Sequence, residues 1–263
     1  MKSLPMSQGF SFERFKQVTY RLIHINKKKY AYAIGGTLAG LYAFWLLLGI
    51  FGSQQSLQEN STIVLAFGTV IYQIGGYVLT ASIFSELQSP GSASQFLTLP
   101  ATTGEKLFSG WTISYVLYTL TAFIGLSMLL LIMFFTGNIL FDGEIQSLTE
   151  LTRIYLNNVV LVYLVFNSIF LLGATYFKGN NFLKTTFSVF LFIVFIGLLM
   201  IVISNVVSNV AGPVMFSWSI YPLSYIEDGG IFKKLLLQLL YALPPTILFL
   251  TLSYFRLKNR QVA

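Results

Sequence analysis

Apolar residues run along this chain in long stretches that short polar segments separate. Six of these stretches hold at least 20 residues, the length that a helix needs to cross the hydrocarbon of a bilayer. None of them alternates strictly between apolar and polar positions, which disfavours a barrel, and backbone hydrogen bonding in lipid then requires helices. The predicted spans are residues 30–51, 63–84, 111–135, 156–176, 186–207 and 235–255.

The composition supports a membrane protein. Of the 263 residues, 55% are hydrophobic and only 10% are charged, whereas soluble domains carry about 25% charged residues. The predicted fold class is therefore all-α, a polytopic membrane protein with six transmembrane helices. The chain divides into an N-terminal segment 1–29, a six-span domain 30–255 and a C-terminal tail 256–263.

Lysine and arginine are distributed unevenly between the two sides of these spans. Most of the 16 lie in the N-terminal segment, in alternate loops and in the tail. Cytoplasmic segments carry such an excess, so both termini are predicted to be cytoplasmic. The basic residues are spread along the chain rather than grouped on one soluble domain, and no nucleic-acid partner is expected.

The N-terminal segment repeats apolar residues at steps of three and four, with charged and polar residues between them. This pattern predicts a basic amphipathic helix that lies in the inner headgroup layer. Such a helix serves either as a simple anchor or as a link between a cytosolic partner and the first span. Its apolar face comprises Phe12, Phe15, Val18, Leu22 and Ile25.

The connection between the second and third spans carries two signals for the start of a helix. Ser92 and Thr102 are each followed three residues later by Gln or Glu, which is the spacing of a capping box. The first signal predicts a short helix over residues 93–99. Pro100 ends it, because the residue before a proline avoids the helical conformation.

This short helix is too small to bury its own apolar side chains. Phe96, Leu97 and Leu99 are therefore expected to be exposed at the cytoplasmic surface. Exposed apolar groups in such a cluster contact lipid, the chain's own helices or a partner protein.

The connection between the fifth and sixth spans, residues 208–232, is long and apolar. Pro213 and Pro222 divide it into pieces too short to cross a bilayer. A broken external hairpin, re-entrant or interfacial, is predicted before the last span.

Few strongly polar residues lie inside the spans. Gln73, Asn167 and Asn205 are expected to hydrogen-bond a neighbouring helix or to contact a transported substrate. Gly36 and Gly40 have the spacing that allows two helices to approach closely, and they are candidates for a dimer face.

The motifs of common enzymes are missing from the sequence. It contains no Gly-rich phosphate-binding loop ending in Gly-Lys. It has a single histidine and no cysteine. No catalytic, cofactor-binding or metal site is therefore predicted in this chain.

The order of these features resembles the permease subunit of ABC type-2 exporters, of the small bacterial six-helix type. Residues 96–108, FLTLPATTGEKLF, look like the coupling-helix segment of that family, in which Leu-Pro and a following Glu-Lys are typical.

The resemblance implies an ATP-driven exporter in the bacterial inner membrane, which moves a small amphiphile, a lipid or a peptide. Two permease copies, identical or different, would assemble in membrane lipid with two ATP-binding subunits, which hold ATP and Mg²⁺. The ATPase would dock on residues 92–106. The implied docking residues are Gln95, Phe96, Leu97, Thr98, Leu99, Pro100, Thr102, Glu105 and Lys106.

Two other interpretations remain open. The chain could be an ATP-independent integral membrane protein with a role in immunity, assembly or scaffolding. It could also be a membrane enzyme acting on lipids, but this needs a polar cluster within the spans that the sequence does not suggest.

Overall fold

The computed structural model describes residues 9–51, 57–88, 90–140, 159–211 and 231–262. These ranges form eight α-helices and contain no strand, so the all-α prediction is confirmed for them. The helices are α1 (Phe12–Phe51), α2 (Leu57–Ile83), α3 (Pro90–Leu97), α4 (Thr103–Trp111), α5 (Tyr118–Leu140), α6 (Val160–Tyr176), α7 (Asn181–Ala211) and α8 (Ile231–Val262). A 3-10 turn, Ser85–Gln88, follows α2, and a π-helical segment, Thr112–Leu117, joins α4 to α5.

Five of the described helical segments are long and apolar enough to span a membrane. They are Phe12–Phe51, Glu59–Ile83, Thr103–Leu140, Asn181–Asn205 and Gln238–Arg260. These five agree with five of the six predicted spans and support a multi-pass membrane protein.

The remaining predicted span, 156–176, corresponds to α6. This helix has 17 residues and is about 26 Å long at 1.5 Å per residue, less than the roughly 30 Å of hydrocarbon. Residues 156–158 lie outside the described ranges, so a sixth span stays a prediction. More than half of the residues in α6 are buried, and the helix packs against α2 and α8.

The N-terminal segment and the first span form one unbroken helix, α1. It has 40 residues and is therefore about 60 Å long. A separate interfacial helix ending at residue 29 was expected, and the structure has no break there. The reason is visible in the sequence, since residues 12–34 contain neither Gly nor Pro to interrupt the helix.

The apolar face of the N-terminal part of α1 packs largely against the protein. Val18 and Leu22 are buried, and the Phe15 ring lies 5.4 Å from that of Phe108. Phe12 and Ile25, at the two ends of the stripe, are exposed. Contact with lipid headgroups stays a prediction for these two residues.

Two hydrophobic cores hold the described helices together. The first core lies at the N-terminal end of α1, and helices α2, α3, α4, α6 and α8 contribute to it; its buried members are Val18, Leu22, Ile83, Phe84, Leu87, Phe96, Ala101, Leu107, Ile113, Leu171, Ala174 and Leu257. The second core joins the other end of α1 to α2 and α5; its buried members are Leu41, Trp45, Val64, Leu65, Leu126, Leu129, Leu130 and Met133.

The external hairpin predicted over residues 208–232 falls mostly on residues 212–230, which lie outside the described ranges. The helices on either side extend beyond the predicted spans. α7 continues to Ala211, and α8 begins at Ile231.

Candidate functional site

The turn between α3 and α4 ends one helix and starts the next. Thr102 has extended backbone angles, and its hydroxyl accepts a hydrogen bond from the Glu105 amide at 3.3 Å. The Glu105 carboxylate in turn accepts from the Thr102 amide at 2.8 Å. This reciprocal pair is the capping box that the sequence predicts.

The other predicted capping box, at Ser92 and Gln95, is wrong. Helix α3 begins at Pro90, so Ser92 already lies inside it. Proline suits the first position of a helix because its missing amide has no partner there. The Ser92 hydroxyl donates instead to the Glu86 carbonyl at 2.6 Å, which ties α3 to the turn before it.

The Glu105 carboxylate is fully buried and lies at the N-terminal ends of two helices. It accepts a hydrogen bond from the backbone amide of Ser11, just before α1, at 2.6 Å, as well as the amide of Thr102, just before α4. Helix N-termini carry partial positive charge and unsatisfied N–H groups. One negative side chain therefore caps α1 and α4 together.

Arg14 completes this site from the first turn of α1. Its Nη2 lies 2.9 Å from Glu105 Oε1, and its Nε lies 3.2 Å from both carboxylate oxygens. Nη2 also donates to the Gly9 carbonyl at 2.6 Å. The two residues are 91 positions apart in sequence, and no local sequence signal singles out Arg14.

A second ion pair joins α1 to the turn after α2. Arg21 Nη1 lies 2.8 Å from Glu86 Oε2, and both side chains are partly exposed. The N-terminal part of α1 is therefore attached at two places to the connection that was predicted to receive an ATPase.

Phe96 was expected to be exposed, and this expectation is wrong. Its side chain is only 1% exposed and belongs to the first core. It meets Phe84 edge-on at 5.8 Å between ring centroids, and the Lys106 ammonium lies 5.6 Å from the centre of its ring. Lys106 is itself buried. The α3–α4 junction, residues 90–111, is therefore held together from inside by Phe96, Glu105 and Lys106.

The other implied docking residues fall into two groups. Gln95, Thr98 and Pro100 are exposed, whereas Leu99 and Thr102 are half-buried. The Leu97 side chain lies outside the described part of the structure. Among the described side chains, the exposed ones on α3 and just after it include the polar Gln95 and Thr98.

Asn167 lies at the centre of a buried polar cluster between α2, α6 and the π-helical segment. Its Nδ2 atom is 2.7 Å from Thr80 Oγ1 and 3.1 Å from Ser114 Oγ. The prediction that Asn167 hydrogen-bonds a neighbouring helix is confirmed. Gln73 is half-buried and Asn205 is exposed, and neither is hydrogen-bonded to Asn167.

Tyr163 is the main residue of this cluster that the sequence analysis missed. It is fully buried, and its hydroxyl donates to the Ser114 carbonyl at 2.6 Å. Its ring packs against several other tyrosines. They are Tyr72, Tyr77, Tyr115 and Tyr118, with centroids 4.9 to 5.9 Å away. The signal was present, because five tyrosines inside spans are five polar hydroxyls that need partners.

Gly36 and Gly40 lie on an exposed face of α1. A Cβ atom built on either glycine would meet nothing within 4 Å. This face is open among the described residues, and its use by a second copy stays a prediction.

The Glu105 carboxylate attaches the N-terminal part of α1 to the turn between α3 and α4. The buried carboxylate of Glu105 accepts hydrogen bonds from an arginine and two backbone amides, so its oxygens are already engaged. Among the residues that the structure describes, no three His, Asp or Glu side chains come together as they would in a metal site. Comparisons with protein-family models, with curated proteins and with solved structures found no match to this chain.

Proposed function

We propose that this chain is the transmembrane permease subunit of an ATP-driven ABC exporter that moves a small amphiphile, lipid or peptide. The observation that carries the proposal is the attachment of the α3–α4 junction to the membrane helices. A separate ATPase subunit would bind the exposed face of α3, and this chain would transmit its motion.

The contacts of Phe96 provide the path for that motion. Its ring sits in the first core, which contains residues of α1, α2, α6 and α8. Packed interiors transmit displacement because they have few voids in which a shift can be absorbed. A push on α3 therefore displaces the ends of several long helices together.

The two ion pairs add a second path, directed at α1. Glu105 and Glu86 bind Arg14 and Arg21, two turns apart on α1. The ATPase-contact residues in this proposal are the exposed ones, Gln95, Thr98 and Pro100. Phe96, Glu105 and Lys106 position the junction without touching the partner.

One observation favours the alternative of an ATP-independent immunity, assembly or scaffolding protein. The buried Phe96 side chain is not available as the large exposed anchor that dominates many protein interfaces. The experiment must therefore detect an ATPase at the α3 face directly.

Site-directed cross-linking makes this test, since the chain has no native cysteine. Single-cysteine variants Gln95→Cys and Thr98→Cys are expressed with the native operon partners, and a photoreactive maleimide is attached in membranes. Cross-linked products are identified by mass spectrometry. Asn259→Cys, exposed near the end of α8, is the matched control on the same predicted side.

We expect a polypeptide with a Walker motif in the products from positions 95 and 98 and none from position 259. Nucleotide and Mg²⁺ should change the yield, because the partner moves during hydrolysis. If the maleimide is attached at positions 95 and 98 but no ATPase is cross-linked there, the proposal is refuted and the ATP-independent alternative is favoured.

A further inference from the structure

Helix α1 is buried at two places and only partly covered between them. Val18 and Leu22 are buried in the first core, and Leu41 and Trp45 are buried in the second. None of the 18 residues from 23 to 40 is buried. In a packed bundle a helix normally buries a stripe along its whole length, so a space must lie beside this stretch.

That space is a cleft of about 400 Å³ between α1, α2 and α5. Small residues form much of its walls, notably Gly68 and Gly75 on α2 and Gly125 on α5. A side chain at position 75 would not fit without a shift of its neighbour, because a Cβ atom there would lie 2.9 Å from the Tyr118 hydroxyl oxygen. The rest of the lining is mainly aliphatic and aromatic.

The dimensions of the cleft match a single acyl chain. Its lining extends along α2 from Gly68 to Leu79 and along α1 from Ile23 to Leu41, about 16 Å and about 27 Å at 1.5 Å per residue. A cavity of about 150 Å³ accommodates benzene, roughly 25 Å³ per carbon atom, so this cleft has room for about 16 carbons. An extended chain of that size is about as long as the cleft.

Three lysines, Lys27 to Lys29, lie on α1 between two residues that line one end of the cleft, and none of the three lines the cleft itself. Ile23 and Tyr30 line that end on α1, and Lys27 lies on the same face because it is four and three residues from them. Lys27, Lys28 and Lys29 are all exposed, and no ion pair involves them within the described ranges. This end is on the side of the membrane that the lysine and arginine bias predicts to be cytoplasmic.

We propose that the cleft binds one acyl chain of an anionic phospholipid from the cytoplasmic leaflet, with the headgroup phosphate at Lys27. The apolar walls exclude water around the chain, and the unpaired ammonium groups favour a negative headgroup. The proposal requires the chain to lie in a membrane but does not depend on transport.

Native mass spectrometry of the purified full-length protein tests this binding. The protein is titrated in detergent with phosphatidylglycerol and, separately, with phosphatidylcholine of the same chain length. We expect the first phosphatidylglycerol to bind at least tenfold more tightly than the first phosphatidylcholine.

Two matched pairs of variants locate the site. Ala33 lines the cleft, whereas Ala31 is exposed two residues away, on the opposite side of α1. Ala33→Trp should weaken the first phosphatidylglycerol at least tenfold, and Ala31→Trp should leave its affinity unchanged. Lys27→Gln should reduce the preference for phosphatidylglycerol about fivefold, and Lys29→Gln should change it less than twofold.

Thr121→Trp, which fills the cleft from α5, is a second blocking variant in case Ala33→Trp does not fold. Equal affinity for both lipids, or equal effects of the two alanine variants, would overturn the proposal. A shift from dimer to monomer in Ala33→Trp without loss of lipid would also overturn it, because a second copy of this chain would then fill the cleft.

Discussion

Glu105 makes the most quantitative prediction for the junction. Its carboxylate is fully buried and accepts hydrogen bonds from Ser11, Thr102 and Arg14 at 2.6 to 3.2 Å. Glu105→Ala removes the acceptor for all three donors at once. The hydrogen bonds from Ser11 and Arg14 at the start of α1 are then lost together with the bond from Thr102 before α4.

The cost can be worked out contact by contact. The backbone hydrogen bonds from Ser11 and Thr102 to the carboxylate contribute about 1 kcal/mol each, and both are lost. A hydrogen bond to a charged group contributes about 1.5–3 kcal/mol, and the lower value applies because the Arg14 side chain is 22% exposed and regains water. The variant should therefore lose about 3.5 kcal/mol, which corresponds to a fall of about 7–14 °C in the unfolding midpoint for a chain of this size.

The assay is thermal unfolding of the detergent-solubilised full-length protein, followed by size-exclusion chromatography at a fixed heating rate. Glu105→Gln should lose about half as much, because glutamine still completes a capping box. Glu86→Gln is the control, since its ion pair is partly exposed and contributes at most about 1 kcal/mol. A midpoint for Glu105→Ala within about 3 °C of wild type, or a Glu86→Gln effect as large, would refute this reasoning.

Three further predictions use the same thermal assay. Asn167→Val should lower the midpoint by about 2–4 °C, because a hydrogen bond between membrane helices contributes about 1 kcal/mol. Gly76→Ala should be destabilising, since its Cβ would overlap a buried tyrosine ring, whereas Gly36→Ala, with nothing within 4 Å, should be neutral or slightly stabilising. Phe96→Ala should lose about 3–5 kcal/mol as a large-to-small core change, and exposed Gln95→Ala should lose almost nothing.

Each of these predictions has an outcome that contradicts it. An unchanged midpoint for Asn167→Val would mean that its amide contributes no net stability. Equal effects of the two glycine changes would contradict the packing around Gly76. A stable Phe96→Ala protein would show that the side chain is not in the first core.

Local sequence signals predicted the parts of the fold that depend on neighbouring residues. The capping box at Thr102 involves one residue and another three positions later, and the structure contains it. The end of α3 before Pro100 follows from the geometry of a single peptide unit. The helical spans likewise follow from runs of apolar residues, because lipid leaves the backbone no other choice.

The burial of Phe96 could not be read from its own segment. A phenylalanine on a short polar helix has the same sequence context whether it faces solvent or a core. What buries it is a core that contains Phe84, 12 positions earlier, together with residues of α6 and α8, 75 or more positions away along the chain. Exposure of Phe96 was therefore a reasonable inference from the sequence and still wrong.

The ion pair between Arg14 and Glu105 was unpredictable for the same reason. Arg14 lay on the polar face of a predicted amphipathic helix and Glu105 in a predicted capping box, and only the folded chain brings them together. Asn167 differs, because a polar side chain inside an apolar span needs a partner whichever helix supplies it. Its role was predictable even though Thr80 and Ser114 were not named.

The unbroken length of α1 has a geometric consequence for the whole protein. Its 40 residues make a strut about 60 Å long, twice the hydrocarbon thickness. Glu105 and Glu86 fix its base, and no proline or glycine provides a hinge before residue 35. A tilt of only about 5° at that base would therefore move the far end sideways by about 5 Å, and the second core, which buries Leu41 and Trp45, would pass that shift to α2 and α5.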